Sequence, residues 1–238
     1  MDDIAGKVAL ITGSTRGIGH AIARALLAEE MTVIVNGRAT ERVNRVASEF
    51  NAEFANRAVP VPADLTDAEE IEMLANQALA LAGRVDVLVN NAGIGAFAPV
   101  PDLEPDSFRA VMDTNVFAPY YLTKLLLPQM VERGSGYVIN IGSLAGRNTF
   151  AGGAAYCASK FALLAFSECL MLDVRAHGIK VSCIMPGSVA TDFSRGRRDE
   201  EWRQRPEDIA KVCVDLLRDR DGVLVSRVEM RPSNPPKK

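Results

Sequence analysis

Short apolar runs alternate along the chain with longer stretches in which apolar positions recur every three or four residues. The short runs predict strands near residues 7–12, 32–36, 58–62, 85–90, 136–142, 180–185 and 223–229. The longer periodicity predicts helices near 17–29, 40–51, 67–82, 106–131, 154–177 and 206–218. Such alternation specifies an α/β fold, a parallel sheet with helices on both faces. The third run, Ala58-Val59-Pro60-Val61-Pro62, holds two prolines that cannot donate to a ladder, which places it at a sheet edge. No linker or repeat interrupts the pattern, so residues 1–231 are read as one domain. The polar stretch 232–238 is read as a frayed tail.

The first strand and helix flank a glycine turn, Thr12-Gly13-Ser14-Thr15-Arg16-Gly17-Ile18-Gly19. A helix N-terminus offers free N–H groups and a positive dipole end to a pyrophosphate, and glycine lets the backbone approach it. The turn is therefore a candidate dinucleotide site. Its G-x-x-x-G-x-G spacing differs from G-x-G-x-x-G and points to one branch of nucleotide-binding folds.

A second signal lies far along the chain. Tyr156 and Lys160 stand four apart in a predicted helix, which stacks them on one face. A neighbouring ammonium favours the phenolate, so Tyr156 becomes a candidate proton donor and acceptor. Ser143 precedes it by thirteen residues.

Bulk properties narrow the class. The chain has 238 residues, a net charge of −3, 48% hydrophobic and 24% charged residues, as in an ordinary soluble protein. That charge argues against a nucleic-acid or anionic-membrane binder, and no apolar run approaches a membrane span. A cytoplasmic protein is the expectation. Cys157, Cys169, Cys183 and Cys213 show no metal-ligand spacing and read as small buried residues, and no metal is expected. His20 and His177 read as surface or helix-end residues.

Together, the glycine turn, Asn90-Asn91-Ala92-Gly93, Asn115, Ser143, Tyr156, Lys160 and Pro186-Gly187 resemble the short-chain dehydrogenase/reductase family, over about residues 6–229. Within it the chain is most similar to the 3-oxoacyl-(acyl carrier protein) reductase type. The resemblance implies a single-domain Rossmann-type doubly wound sheet of seven strands in the order 3-2-1-4-5-6-7. It implies a catalytic set of Asn115, Ser143, Tyr156 and Lys160. Tyr156 would exchange the proton, Ser143 would hold the carbonyl oxygen, and Lys160 would bind the nicotinamide ribose and lower the phenol's pKa. Asn115 would open its helix and bind a water linking Lys160 to solvent. The cofactor would lie against Gly13 to Gly19, against Asn91, Ala92 and Gly93, and against Pro186, Gly187, Val189 and Thr191. Asp64 and Leu65, after the third strand, would meet the adenine, although Thr66-Asp67-x-x-Glu70 beside them also reads as a helix start. Asn90 has a purely structural alternative.

Cofactor choice is read from three positions. An NAD-selective site carries an acid at the end of the second strand. Here Asn36-Gly37-Arg38 stands instead, with Arg16 in the glycine turn, a pattern that favours the 2′-phosphate of NADP(H).

The expected substrate is a small-molecule carbonyl compound: a ketone, 3-ketoester or 3-ketoacyl thioester. Two alternatives stand beside this reduction: oxidation of hydroxy amino acids or secondary alcohols with NADP, and a non-catalytic NADP-sensing regulator. The segment 192–205 is the expected lid, with Phe193 or Trp202 reaching the substrate. Positions that would dock an acidic carrier protein hold Gly134 and His177, with Arg133 and Arg175 nearby. The ending Val223–Pro232 also departs from the usual one. Long helices apolar on more than one side, carrying Leu122, Leu125, Leu126, Leu163, Leu164 and Phe166, predict a homodimer or homotetramer.

Overall fold

The computed structural model describes residues 4–193, 201–219 and 222–235. Its strands are β1 (Val8–Ile11), β2 (Thr32–Val35), β3 (Ala58–Pro60), β4 (Val87–Asn90), β5 (Gly136–Ile141), β6 (Ile179–Pro186) and β7 (Arg227–Met230). They form one sheet in the order β3-β2-β1-β4-β5-β6-β7, all parallel. The helices are α1 (Gly17–Ala28), α2 (Thr40–Glu53), α3 (Ala68–Ala82), α4 (Pro105–Met112), α5 (Ala118–Arg133), α6 (Ala154–Val174) and α7 (Pro206–Arg218).

Strand alternation distributes the side chains between two cores. Ala9 and Ile11 of β1 join a cluster with α1, α2 and α7, whereas Val8 and Leu10 join one with α3, α5 and α6. Both faces are covered, as a parallel sheet requires. The proline-bearing β3 lies at the edge, and its pairing reaches only Pro60.

Three expectations are corrected. The helix expected over 106–131 is two helices, α4 and α5, joined by a π-helical turn at Asp113–Phe117. Pro119 has no N–H for the carbonyl of Asn115, four residues back, so the regular ladder fails there. The last strand begins at Arg227, not Val223, its register with β6 starting at Cys183, while the Val225 carbonyl accepts from the Ser182 hydroxyl at 2.6 Å. Cys169 is exposed, while the other three cysteines are buried. His20 is half-buried, its ring 4.8 Å from that of Phe50. Residues 232–235 of the expected tail are described, and 236–238 lie outside the described residues.

Candidate active site

A cleft of about 1330 Å³ opens beyond the carboxyl ends of the strands. That exceeds the roughly 300–1,000 Å³ of a single-ligand pocket, leaving room for two ligands side by side. Of the residues the sequence proposed, Gly13, Thr15, Arg16, Gly17, Ile18, Asn36, Arg38, Asp64, Leu65, Asn91, Ala92, Gly93, Ser143, Tyr156, Lys160, Pro186, Gly187, Val189 and Thr191 line it. Ser14, Gly19 and Asn115 stand behind that lining.

At one end the cleft meets the start of α1. Arg16 occupies the cap position without a side-chain cap bond, and the first turn carries no acid. The free N–H groups of that turn therefore remain available to an anion. A Cβ at Gly19 would lie 2.4 Å from Asn91 Nδ2 and 2.5 Å from the Gly13 carbonyl oxygen, so the helix can approach β4 this closely only with glycine. Thr12 ties the two loops together. Its Oγ1 accepts from the N–H groups of Asn91 and Ala92, each at 3.0 Å, while Asn91 Nδ2 donates to the Thr12 carbonyl at 2.8 Å.

Arg16, Arg38 and Arg42 are exposed on the cleft rim, with Arg16 3.6 Å from Asp192. Asn36 is fully buried, and its side-chain amide is committed: Oδ1 accepts from Gly13 N at 3.4 Å, and Nδ2 donates to the Val61 carbonyl at 3.1 Å. Ser14, also buried, exchanges bonds with the Asn36 backbone. Both residues shape the glycine turn from beneath. Asp64 Oδ1 accepts from the N–H and hydroxyl of Thr66, each at 2.9 Å, whereas Asp67 is the actual cap of α3. Asn90 is structural: its Nδ2 donates to Asn140 at 2.8 Å and Thr123 at 3.3 Å.

Near the middle of the cleft, Tyr156 and Ser143 stand in the same lining. Burial raises the Tyr156 phenol above its ordinary pKa, and the nearby Ser143 hydroxyl acts in the opposite direction. Lys160 is buried, and desolvation lowers its ammonium to about 8. Its Nζ donates to the Ile141 carbonyl at 2.8 Å and lies 5.8 Å from the Tyr156 ring centre. Asn115, in the π turn, fixes the neighbouring backbone. Its amide donates to the Ile94 carbonyl and Ser159 Oγ and accepts from Ile94 N, all at 2.9 Å.

Several site residues escaped the sequence reading. Ser159 bridges Asn115 to the Tyr156 carbonyl; its place between Tyr156 and Lys160 was the available signal. Gln204 holds the loop after β6 through Gly187 N, Ser188 O and Ala190 N, and an uncharged amide inside a charged stretch was its only mark. Phe97 and Phe150 line the cleft without any sequence motif. Of the expected lid, Asp192, Phe193 and Trp202 line the cleft, and residues 194–200 lie outside the described residues.

A doubly wound sheet, an uncapped helix N-terminus at the cleft and a Tyr–Ser–Lys cluster beside it define a nucleotide-dependent oxidoreductase. The short chain dehydrogenase family model matches residues 7–202, and the chain belongs to that family, a class of NAD(P)-dependent oxidoreductases. It is 38% identical over 230 residues to the 3-oxoacyl-(acyl-carrier-protein) reductase FabG of Haemophilus influenzae, covering 92% of this chain and 93% of that one. A metagenomic short-chain oxidoreductase solved with NADP superposes with a TM-score of 0.86 at 36% identity, covering 98% of this chain and 99% of that one. An alcohol dehydrogenase from Thermococcus sibiricus, solved with 5-hydroxy-NADP, gives 0.89 at 28% identity with the same coverage. Among the described residues no helix is long and apolar enough to cross a membrane, and no group of His, Cys, Asp or Glu is placed to hold a metal.

Proposed function

We propose that the protein reduces the carbonyl group of a small molecule, a ketone, 3-ketoester or 3-ketoacyl thioester, to a secondary alcohol with NADPH. The observation that carries this reading is the grouping of Ser143, Tyr156 and Lys160 in the lining of a cleft whose other end presents the bare α1 N-terminus and three arginines. The dinucleotide, when bound, supplies the hydride. The pyrophosphate would rest on the first turn of α1, and Arg16, Arg38 and Arg42 would meet the 2′-phosphate. A Cβ at Gly93 would lie 3.7 Å from Lys160 Nζ, so glycine there keeps open the space in which the lysine would hold the ribose.

Reduction adds a hydride to the carbonyl carbon and a proton to its oxygen. Ser143 would donate a hydrogen bond to that oxygen and stabilise its growing charge. Tyr156 would give up its phenolic proton as the alkoxide forms, and a low-lying Lys160 ammonium beside it would stabilise the phenolate left behind. Asn115 would hold the π turn and Ile94 in place, and a water on its backbone would return the proton from solvent to Lys160. The NADP complexes of the two solved relatives support the cofactor assignment. NADPH oxidation on a panel of ketones and acyl thioesters tests the reading. Turnover of at least one ketone is expected; NADPH binding without turnover of any member would leave only a cofactor sensor.

The apolar outer face of α4, α5 and α6 supports a homodimer. Phe108, Phe117, Tyr120, Phe161 and Leu172 are exposed by 38–57% on these helices and the π turn, and exposed apolar side chains grouped on neighbouring elements fit an interaction surface. Leu122, Leu126 and Leu163 are buried inward. Inward and outward apolar faces together fit helices packed both on the sheet and on a second copy.

A further inference from the structure

Three phenylalanines from separate loops form a wall beside Tyr156: Phe97 after β4 and Phe193 after β6 pack against its ring, and Phe150 before α6 packs on Phe97. Ring centres lie 5.6 Å apart for Phe97–Tyr156, 5.3 Å for Tyr156–Phe193, 6.2 Å for Phe97–Phe193 and 6.1 Å for Phe97–Phe150. Two glycines let these rings seat against backbone. A Cβ on Gly95 would be 2.6 Å from the Phe97 ring and 3.1 Å from that of Phe193, and one on Gly153 would be 2.6 Å from Phe150. Even so, Phe150 is 50% and Phe193 41% exposed, and all three rings line the cleft. Exposed aromatic surface is costly in water and is recovered when a ligand covers it. None of these rings takes part in the proton and hydride chemistry proposed above.

We propose that this aromatic wall binds the substrate and that the carbonyl compound it takes is an aryl ketone. The ring of the ketone packs against Phe97 and Phe193 while its oxygen meets Tyr156 and Ser143; this rests on the carbonyl-reductase reading of the same site. The planes are spread, with 59° between Phe97 and Tyr156, 44° between Tyr156 and Phe193 and 85° between Phe97 and Phe193. A planar ring entering among them finds faces and edges together, the arrangement that aromatic quadrupoles favour. A flexible acyl chain covers the same area without that match and loses more rotamer freedom. Carrier-protein docking through Arg133 finds no support at this cleft. That residue bonds to the Val85 carbonyl and approaches Asp86 at the amino end of β4, the end of the sheet opposite the cleft.

The test compares acetophenone with cyclohexyl methyl ketone, which has the same carbon skeleton but a saturated, puckered ring in place of the planar aromatic one, in wild type, Phe97→Leu and Phe97→Tyr. With NADPH, wild type is expected to favour acetophenone in kcat/KM by roughly tenfold. Phe97→Leu should cut that ratio to about twofold, and Phe97→Tyr should keep it. Equal values in wild type, or a ratio unmoved by Phe97→Leu, would overturn the proposal. Benzamide and cyclohexanecarboxamide, inert to hydride, give a readout independent of turnover. Benzamide should bind the NADPH-loaded protein roughly fivefold more tightly, by NMR titration. Equal affinities overturn the aromatic wall even in a protein that reduces ketones. A benzamide preference without any ketone turnover sustains the wall and sinks the reductase reading instead.

Discussion

Lys160 Nζ donates its 2.8 Å hydrogen bond to the Ile141 carbonyl, two residues before Ser143, and so ties α6 to the end of β5 directly behind Tyr156. The ammonium is held there against its own desolvation, which lowers its pKa from 10.5 to about 8. In the unfolded chain the same lysine keeps its proton up to its ordinary pKa. The unfolded state therefore binds more protons between those two values, and the stability of the cofactor-free protein rises with pH across that window.

Lys160→Met removes this cost. Below about pH 8 the burial penalty is complete, on the order of 3 kcal/mol, offset by about 1 kcal/mol for the lost Ile141 bond. The variant should be more stable than wild type at pH 7 by about 2 kcal/mol, and that gain should shrink as pH rises toward 10. Urea unfolding at pH 7 and pH 9.5 measures both. A variant no more stable than wild type at pH 7, or a gain independent of pH, contradicts the buried ammonium.

Cofactor preference is expected to rest on the rim arginines. Arg38→Leu with Arg42→Leu should weaken NADPH binding by roughly 10–100-fold, the worth of charge-assisted bonds, with little change for NADH. Fluorescence titration with both nucleotides reads the ratio. Asn36→Asp, which would supply the missing acid at the end of β2, is a poor probe of cofactor choice. It would replace the Nδ2 donor to Val61 with a buried carboxylate, so lost stability of roughly 1–3 kcal/mol would mask any gain toward NADH. Loss of affinity for NADH equal to that for NADPH in the arginine variant would place the 2′-phosphate elsewhere.

The outer helix face gives an independent prediction. Phe161→Glu with Tyr120→Glu places two charges at exposed apolar positions outside both buried clusters. Light scattering at micromolar concentration should report a dimer or larger for wild type and a monomer for the variant. A wild-type monomer under those conditions would refute the assembly.

How far the fold could be read from the chain depended on whether a residue acts locally. The edge position of β3 was legible because a proline has no ladder donor wherever it lies. The glycine turn was legible because strand, turn and helix are adjacent in sequence. The break between α4 and α5 was only half visible: Asn115 marked it, but the missing N–H of Pro119, four residues on, completes it. Phe193 was legible as part of the lid segment, but Phe97 and Phe150 carried no signal, since their meeting with it beside Tyr156 depends on three loops brought together by the sheet. Gln204 was hidden for the same reason, its partners Gly187, Ser188 and Ala190 lying across the lid segment.

The central claim, that Tyr156 delivers the proton to the carbonyl oxygen, is tested most directly by kcat and NADPH affinity in Tyr156→Phe. The substitution keeps the ring and its packing against Phe97 and Phe193 and removes only the hydroxyl. On a ketone the wild type turns over, kcat should fall roughly 10²–10⁴-fold, as for a lost general acid, while the NADPH Kd stays within about twofold. Near-normal kcat in Tyr156→Phe would contradict the mechanism.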